Sequence, residues 1–171
     1  MLDEKVEVAL NEQINWEFYS GYMYLSMSAY CQSIGLAGCA SWMMAQAQEE
    51  QVHAMRFYNY VISRGGRVVL PAIAEPPVAW DSVSDVFEKA YKHEQKVTSL
   101  INGLVELAIE EKDYATRNML QWYVDEQVEE EETFSGVLDR LRLVGKDGSG
   151  LYMFDRDMAS RVFSPPAAKQ E

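Results

Sequence analysis

"GGRVVLPAIAEPPVAWD", residues 65–81, decides how the chain is connected. It is 17 residues long, carries three prolines and separates two stretches of helical periodicity. Neighbouring helices in a bundle are joined by roughly 2–8 residues, so this segment is a traverse rather than a turn. Extended, it reaches about 50 Å or more, while a helix of about 28 residues is about 42 Å long. It can therefore run the length of the flanking helices and set them parallel. Its apolar, proline-rich composition predicts packing against the helices rather than a free linker.

On either side of the traverse lie two helical patterns, and no β-type alternation of comparable length occurs. The first runs from Asp3, as N-cap, to about Gln32, and the turn "SIGLAG" (33–38) follows. The second spans about Ala37 to Arg64, where "RGG" stops it. The third opens at "WDSVSD" (80–85), with Asp81 or Ser82 as cap, and reaches about Glu111. The fourth starts near Asp113 and ends around "VGKDGSG" (144–150). The short turns near 33–36 and 112 make each pair an antiparallel hairpin. An amphipathic stretch, "LYMFDRDMASRVF" (151–163), predicts a fifth helix before the tail "SPPAAKQE". The expected fold is all-α and a single domain over 1–171. A four-helix bundle occupies 1–146 with its crossover at 65–81, and a short fifth helix and tail occupy 147–171.

Apolar residues make up 48% of the 171 and charged residues 25%, enough for a substantial core. The net charge of −12 argues against nucleic acid or an anionic membrane as partner, since phosphate needs a positive face. It suits cation handling, although a solvated acidic surface has the same charge. No apolar run is long enough to span a membrane, and "MLDEKVEVAL" is too acidic for a signal peptide. Cys31 and Cys39 form no disulfide framework or CxxC motif, and are read as buried or free thiols of a reducing cytoplasm.

Steps of three and four place one line of residues on each helix face. The lines are Leu10, Gln13, Glu17, Ser20, Tyr24, Met27 and Cys31 on the first, and Met43, Gln46, Glu50, His53, Phe57 and Tyr60 on the second. The third carries Phe87, Ala90, Glu94, Val97, Ile101, Leu104 and Ala108, and the fourth Leu120, Tyr123, Gln127, Glu130, Phe134, Val137 and Leu141. Glu17 and Glu50 lie roughly 17 and 16 residues from the first turn, and Glu94 and Glu130 each about 18 from the second. At 1.5 Å per residue such mismatches amount to about 2–3 Å. Four carboxylates, with His53 three residues after Glu50, therefore converge on one level of the core. Uncompensated, they would repel one another, hold their protons and oppose folding. Cations remove both difficulties. Oxygen ligands with one imidazole suit Fe, Mn or Zn, and five side chains, one of them bridging, suffice for two ions.

At these residues the chain resembles the non-haem, ferroxidase-type ferritins of bacteria and archaea. The likeness covers nearly the whole chain. It rests on "NWEFYSGYMYLSMSAY" (15–30), "EEQVHAMRFYNYV" (49–61), "RGGRVVLP" (64–71), "HE" (93–94) and "QWYVDEQVEEE" (121–131). The resemblance implies one iron at Glu17, Glu50 and His53 and a second at Glu94 and Glu130, with Glu50 bridging. It places Gln127 beside the pair as a hydrogen-bonding or weak-ligand neighbour, and Tyr24 next to the centre. A third iron site maps onto Glu49, Glu126 and Glu129, sharing Glu130. The implied reaction oxidises Fe(II) with O2 or H2O2, and the ferric mineral is stored in a homo-oligomeric shell of 24 subunits.

Departures narrow the resemblance. Bacterioferritins and rubrerythrins repeat Glu-x-x-His in the second half of the bundle, where this chain reads Gln127-Val128-Glu129-Glu130. Val52 stands where bacterioferritin ligates haem with methionine, so no haem is expected. His93 adjoins Glu94 but points about 100° away, and is expected to be exposed or to support the ligands. Glu131 and Glu132 read as a solvated face, the nine methionines as core filling. Trp80, Leu151, Phe154 and Met158 are exposed apolar candidates for subunit contacts. Two other readings stay open: a di-iron oxidoreductase or peroxidase that stores nothing, and a structural bundle whose carboxylates bind stray cations.

Overall fold

The computed structural model describes residues 2–145 and 147–164. Asp3 accepts from the Lys5 amide at 2.9 Å and starts α1, Glu4–Ser33; Glu4 and Glu7 in its first turn complement the positive helix end. Gly35, at φ 82°, reverses the chain into α2, Ala37–Ser63. Ser82 caps α3, Val83–Glu110, by accepting from the Asp85 amide at 3.2 Å. Asp113 caps α4, Tyr114–Val144, by accepting from Thr116 at 3.0 Å. A fifth helix, α5, spans Gly148–Met158. No strand occurs among the described residues.

α5 begins three residues earlier than the sequence suggested and ends well before 163. Asp147 accepts from the Gly150 amide at 2.8 Å, and this cap outweighs the poor helix propensity of Gly148 and Gly150. Lys146, and the expected tail from Pro165 onward, lie outside the described residues.

Polar contacts trace the crossover along α1. Asn11 donates to the Arg67 carbonyl at 3.0 Å and accepts from the Val69 amide at 2.7 Å. Further on, Ser26 donates to the Pro77 carbonyl at 2.6 Å, and Trp80 packs on Tyr30 with ring centroids 5.2 Å apart. The segment thus passes from the start of α1 to its end and releases α3 beside the start of α2. α2 and α3 run parallel, as the length of the crossover predicts.

Every residue of the four seam lines is buried except Tyr60, which is half-buried. The core is not continuous. One apolar cluster gathers around Met27, Met43, Phe87 and Phe134, and a second around Leu10, Phe57, Ile101 and Leu120. Between them lies a polar layer.

Three residues expected to face other subunits are buried in this one. Trp80, Phe154 and Met158 are 8%, 5% and 2% exposed, and Leu151 packs partly against the same cluster. A short terminal helix has one apolar face, and α5 satisfies it by folding back on the bundle, where Phe154 meets Phe87 edge-on. Among the described residues, no helix is long and apolar enough to cross a membrane.

Candidate metal centre

The polar layer depends first on how closely α1 approaches α2. A Cβ on Gly21 would come within 3.3 Å of the Ala47 carbonyl and 3.5 Å of the Glu50 Cβ. Glu17, one turn before Gly21, is thereby brought against Glu50. His53 Nδ1 lies 3.4 Å from a Glu50 oxygen and 4.0 Å from a Glu17 oxygen. One ligand atom from each of the three lies within 4.8 Å of the others, and all three residues are buried. The His53 ring is walled edge-on by Trp122 and Tyr123, whose hydroxyl donates to the His53 carbonyl at 2.8 Å.

Glu94 enters from α3 with both oxygens held. Tyr24 donates to Oε1, and Gln127 Nε2 donates to Oε2 at 3.1 Å. Glu130 enters from α4, is 5% exposed, and its Oε2 has no hydrogen-bond partner. An orphaned buried carboxylate oxygen costs several kcal/mol, of order 1–3 or more, unless a cation or proton meets it.

Protons meet the cluster when no metal does. Burial, then the neighbouring Glu50, pushes Glu17 up to about 8. Burial, then Glu94, pushes Glu130 up to about 8. Burial raises Glu94 to about 7 against the bonds from Tyr24 and Gln127, which favour its charged form. Glu50, buried and facing Glu94 and Glu130, is held well above the ordinary carboxylate range. Four acids that resist ionising together are poised to exchange protons for a cation.

The three outer carboxylates differ in exposure. Glu49 and Glu126 are half-buried and Glu129 is exposed. Burial first, with the charges of Glu129 and Glu49, raises Glu126, and its Oε1 stands 3.9 Å from His53 Nε2. Glu49 carries a cationic partner, Arg161, from beyond α5.

His93 is not exposed. Its Nε2 lies 2.7 Å from the Ser20 hydroxyl, and Trp16, Tyr19 and Tyr24 surround the ring. Burial pushes it down to about 4, so it is neutral. Glu131 is also more than a solvated residue, because it accepts from Thr98 at 2.6 Å, and Thr98 in turn lies 3.3 Å from Gln127 Nε2.

Sequence reading gave no role to Gln13 or Gln46. Gln13 Nε2 donates to Glu17 at 2.8 Å, and Gln46 Nε2 to Glu50 at 3.4 Å. A signal was available: in both α1 and α2 the glutamine precedes its glutamate by four residues, one helical turn. No local signal marks Arg161.

The model of the Ferritin-like domain matches residues 7–144. A bacterial non-heme ferritin of Campylobacter jejuni is 45% identical over 156 residues, covering 91% of this chain and 93% of the relative. A probable bacterial non-heme ferritin-like protein of Haemophilus influenzae is 44% identical over 160 residues, 94% of this chain and 97% of the relative. The open pore ferritin of the hyperthermophilic archaeon Archaeoglobus fulgidus superposes with a TM-score of 0.94 at 51% identity, covering 95% of this chain and all of that one. Likeness of this extent, in sequence and in backbone, makes the protein a member of the ferritin family.

Proposed function

We propose that this chain is the subunit of an iron-storage ferritin that oxidises Fe(II) at an intrasubunit two-iron centre. One observation carries the reading: each of the four bundle helices delivers a buried glutamate to one polar layer, beside His53, with an oxygen of Glu130 left unpartnered. The ferritin names and fold of its relatives support it.

In this reading Glu17, Glu50 and His53 take one Fe(II), and Glu94 and Glu130 take the other, with Glu50 bridging. Gln127 and Tyr24 steer the two oxygens of Glu94. Hard carboxylates favour the ferric product, and a largely carboxylate ligand set leaves coordination positions open for the oxidant. Two Fe(II) ions give one electron each to one O2, which leaves as H2O2 after taking two protons. With H2O2 as oxidant, the same two electrons and two protons yield two waters. Paired oxidation avoids the one-electron product superoxide.

Glu49, Glu126 and Glu129, with Glu130, form a satellite site for a third iron. It lies beside the pair on a more exposed face and serves as exit route or electron source. The chain acts as one domain, in a homo-oligomeric shell of 24 copies, in the cytoplasm and without haem. The relatives' designation as non-heme ferritins favours that last point.

Adding Fe(II) in air and following ferric absorbance tests the chemistry. The wild-type protein should oxidise iron rapidly, and Glu50→Ala should fall to the rate of buffer while still assembling. Equal rates in the two proteins would remove the centre from the reaction.

A further inference from the structure

Beyond α5 the chain turns back along α2. Asp155 meets the start of α2 at Gly38 and Cys39, Arg161 lies against Trp42 and Glu49, and Phe163 lines a groove with Val52 and Trp122. The segment thus climbs the bundle from its end to the level of the buried carboxylates. Arg161 is the residue it delivers there.

The Arg161 guanidinium has three relationships. Its Nη2 donates to the Glu49 carboxylate. Its Cζ sits 4.2 Å from the centroid of the Trp42 ring, in cation–π contact. Its Nη1 is buried and has no hydrogen-bond partner. A cation that never loses its proton therefore holds one carboxylate of the satellite site.

We propose that Arg161 is the resident counter-ion of the satellite site, and that a third metal ion binds there by displacing its guanidinium from Glu49. The inference rests on the two-iron reading and concerns only the third ion. An isolated group of partly exposed glutamates would be a strong trap for a ferric ion. With Arg161 competing for Glu49, the site is weak and exchangeable, which suits an ion in transit to a mineral. Arg161 is thus a positioning residue that sets affinity and touches no iron of the pair. At 21% and 26% side-chain exposure the pair still reaches solvent, so the guanidinium can swing toward water as the metal ion arrives.

The test is titration of the assembled, metal-free protein with Zn(II), which binds without redox chemistry, followed by calorimetry and tryptophan fluorescence. Wild-type protein should take two ions tightly and a third weakly, and the third equivalent should change the fluorescence as the guanidinium leaves Trp42. Arg161→Gln should tighten the third step by about fivefold to tenfold and lose that fluorescence change, with the first two steps within about twofold of wild type. Arg161→Lys, which keeps a cation within reach of Glu49, should stay near wild type. A third step equally weak in Arg161→Gln, with the first two intact, would overturn the proposal. So would a wild-type third step without a fluorescence change, a result that needs no variant to fold. Failure of both proteins to take up a pair of ions would overturn the two-iron reading itself.

Discussion

Tyr24 donates its hydroxyl hydrogen bond to Glu94 Oε1, tying α1 to α3 at the level of the buried carboxylates. The bond favours the ionised form of Glu94 and opposes the burial that pushes this acid up to about 7. Tyr24→Phe should therefore raise the proton affinity of Glu94 and free its orientation. A hydrogen bond to a charged group is worth about 1.5–3 kcal/mol, so affinity for the second Zn(II) should weaken by about tenfold or more at pH 7. Calorimetry measures it, and an unchanged second step would deny Tyr24 a steering role.

Folding of the metal-free protein should respond to pH through the same cluster. Glu17, Glu94 and Glu130 rise from 4.5 in the open chain to about 8, 7 and 8 when buried. A raised acid holds its proton in the folded state after the unfolded chain has lost it. Its contribution is intact below pH 4.5 and drains away as pH climbs toward 8. Thermal melts should show stability falling over that window, and falling less steeply in Glu17→Gln. Because Zn(II) must displace these protons, the rise in Tm it causes should be larger at pH 7.5 than at pH 5.5. A metal-induced rise that ignores pH would contradict the protonated cluster.

Glu50 should be a liability without metal. It is 2% exposed and faces Glu94 and Glu130. Glu50→Gln keeps the shape and removes the ionisable group, so the metal-free variant should gain roughly 1–3 kcal/mol. Oxidation of Fe(II) should drop at least about hundredfold, the scale on which metal-site substitutions act. Chemical denaturation of the metal-free proteins gives the first number. A destabilised Glu50→Gln would mean that Glu50 is structural.

A separate prediction concerns the join between α5 and α2. α2 has no side-chain cap of its own. Asp155 of α5 supplies one, accepting from the Gly38 amide at 3.1 Å and the Cys39 amide at 2.8 Å. Asp155→Ala should cost about 1–2 kcal/mol and expose residues 148–164 to protease. Gly38→Ala should do the same or worse, since its Cβ would stand 1.7 Å from the Asp155 carbonyl, a backbone atom that cannot step aside. Equal protease resistance in all three proteins would show that α5 docks by its apolar face alone.

What could be read from the sequence, and what could not, follows from the range of each interaction. The cap at Asp3, a cap at Asp81 or Ser82 and a helix start near Asp113 are local and were legible, as were the seam lines, because a 3.6-residue period exposes one face at a time. The common height of Glu17, Glu50, Glu94 and Glu130 was legible because both hairpins have short turns that fix the register. Trp80 and Phe154 were misplaced on the surface because their partners, Tyr30 and Phe87, are remote in sequence. Asp155 and Arg161 escaped for the same reason. Each acts on α2 from more than 100 residues away, a distance with no periodic signature. The start of α5 was missed because two glycines argue against a helix and only Asp147 argues for it.

Iron loading in air tests storage most directly. Excess Fe(II) is added to the assembled protein, and iron and protein are followed together through size-exclusion chromatography. A storage ferritin should carry ferric iron far beyond what its side chains can ligate, eluting with a particle many times the mass of the 19.5 kDa chain. Iron that stops at two or three ions per chain would contradict storage, and would leave a two-iron oxidoreductase in its place.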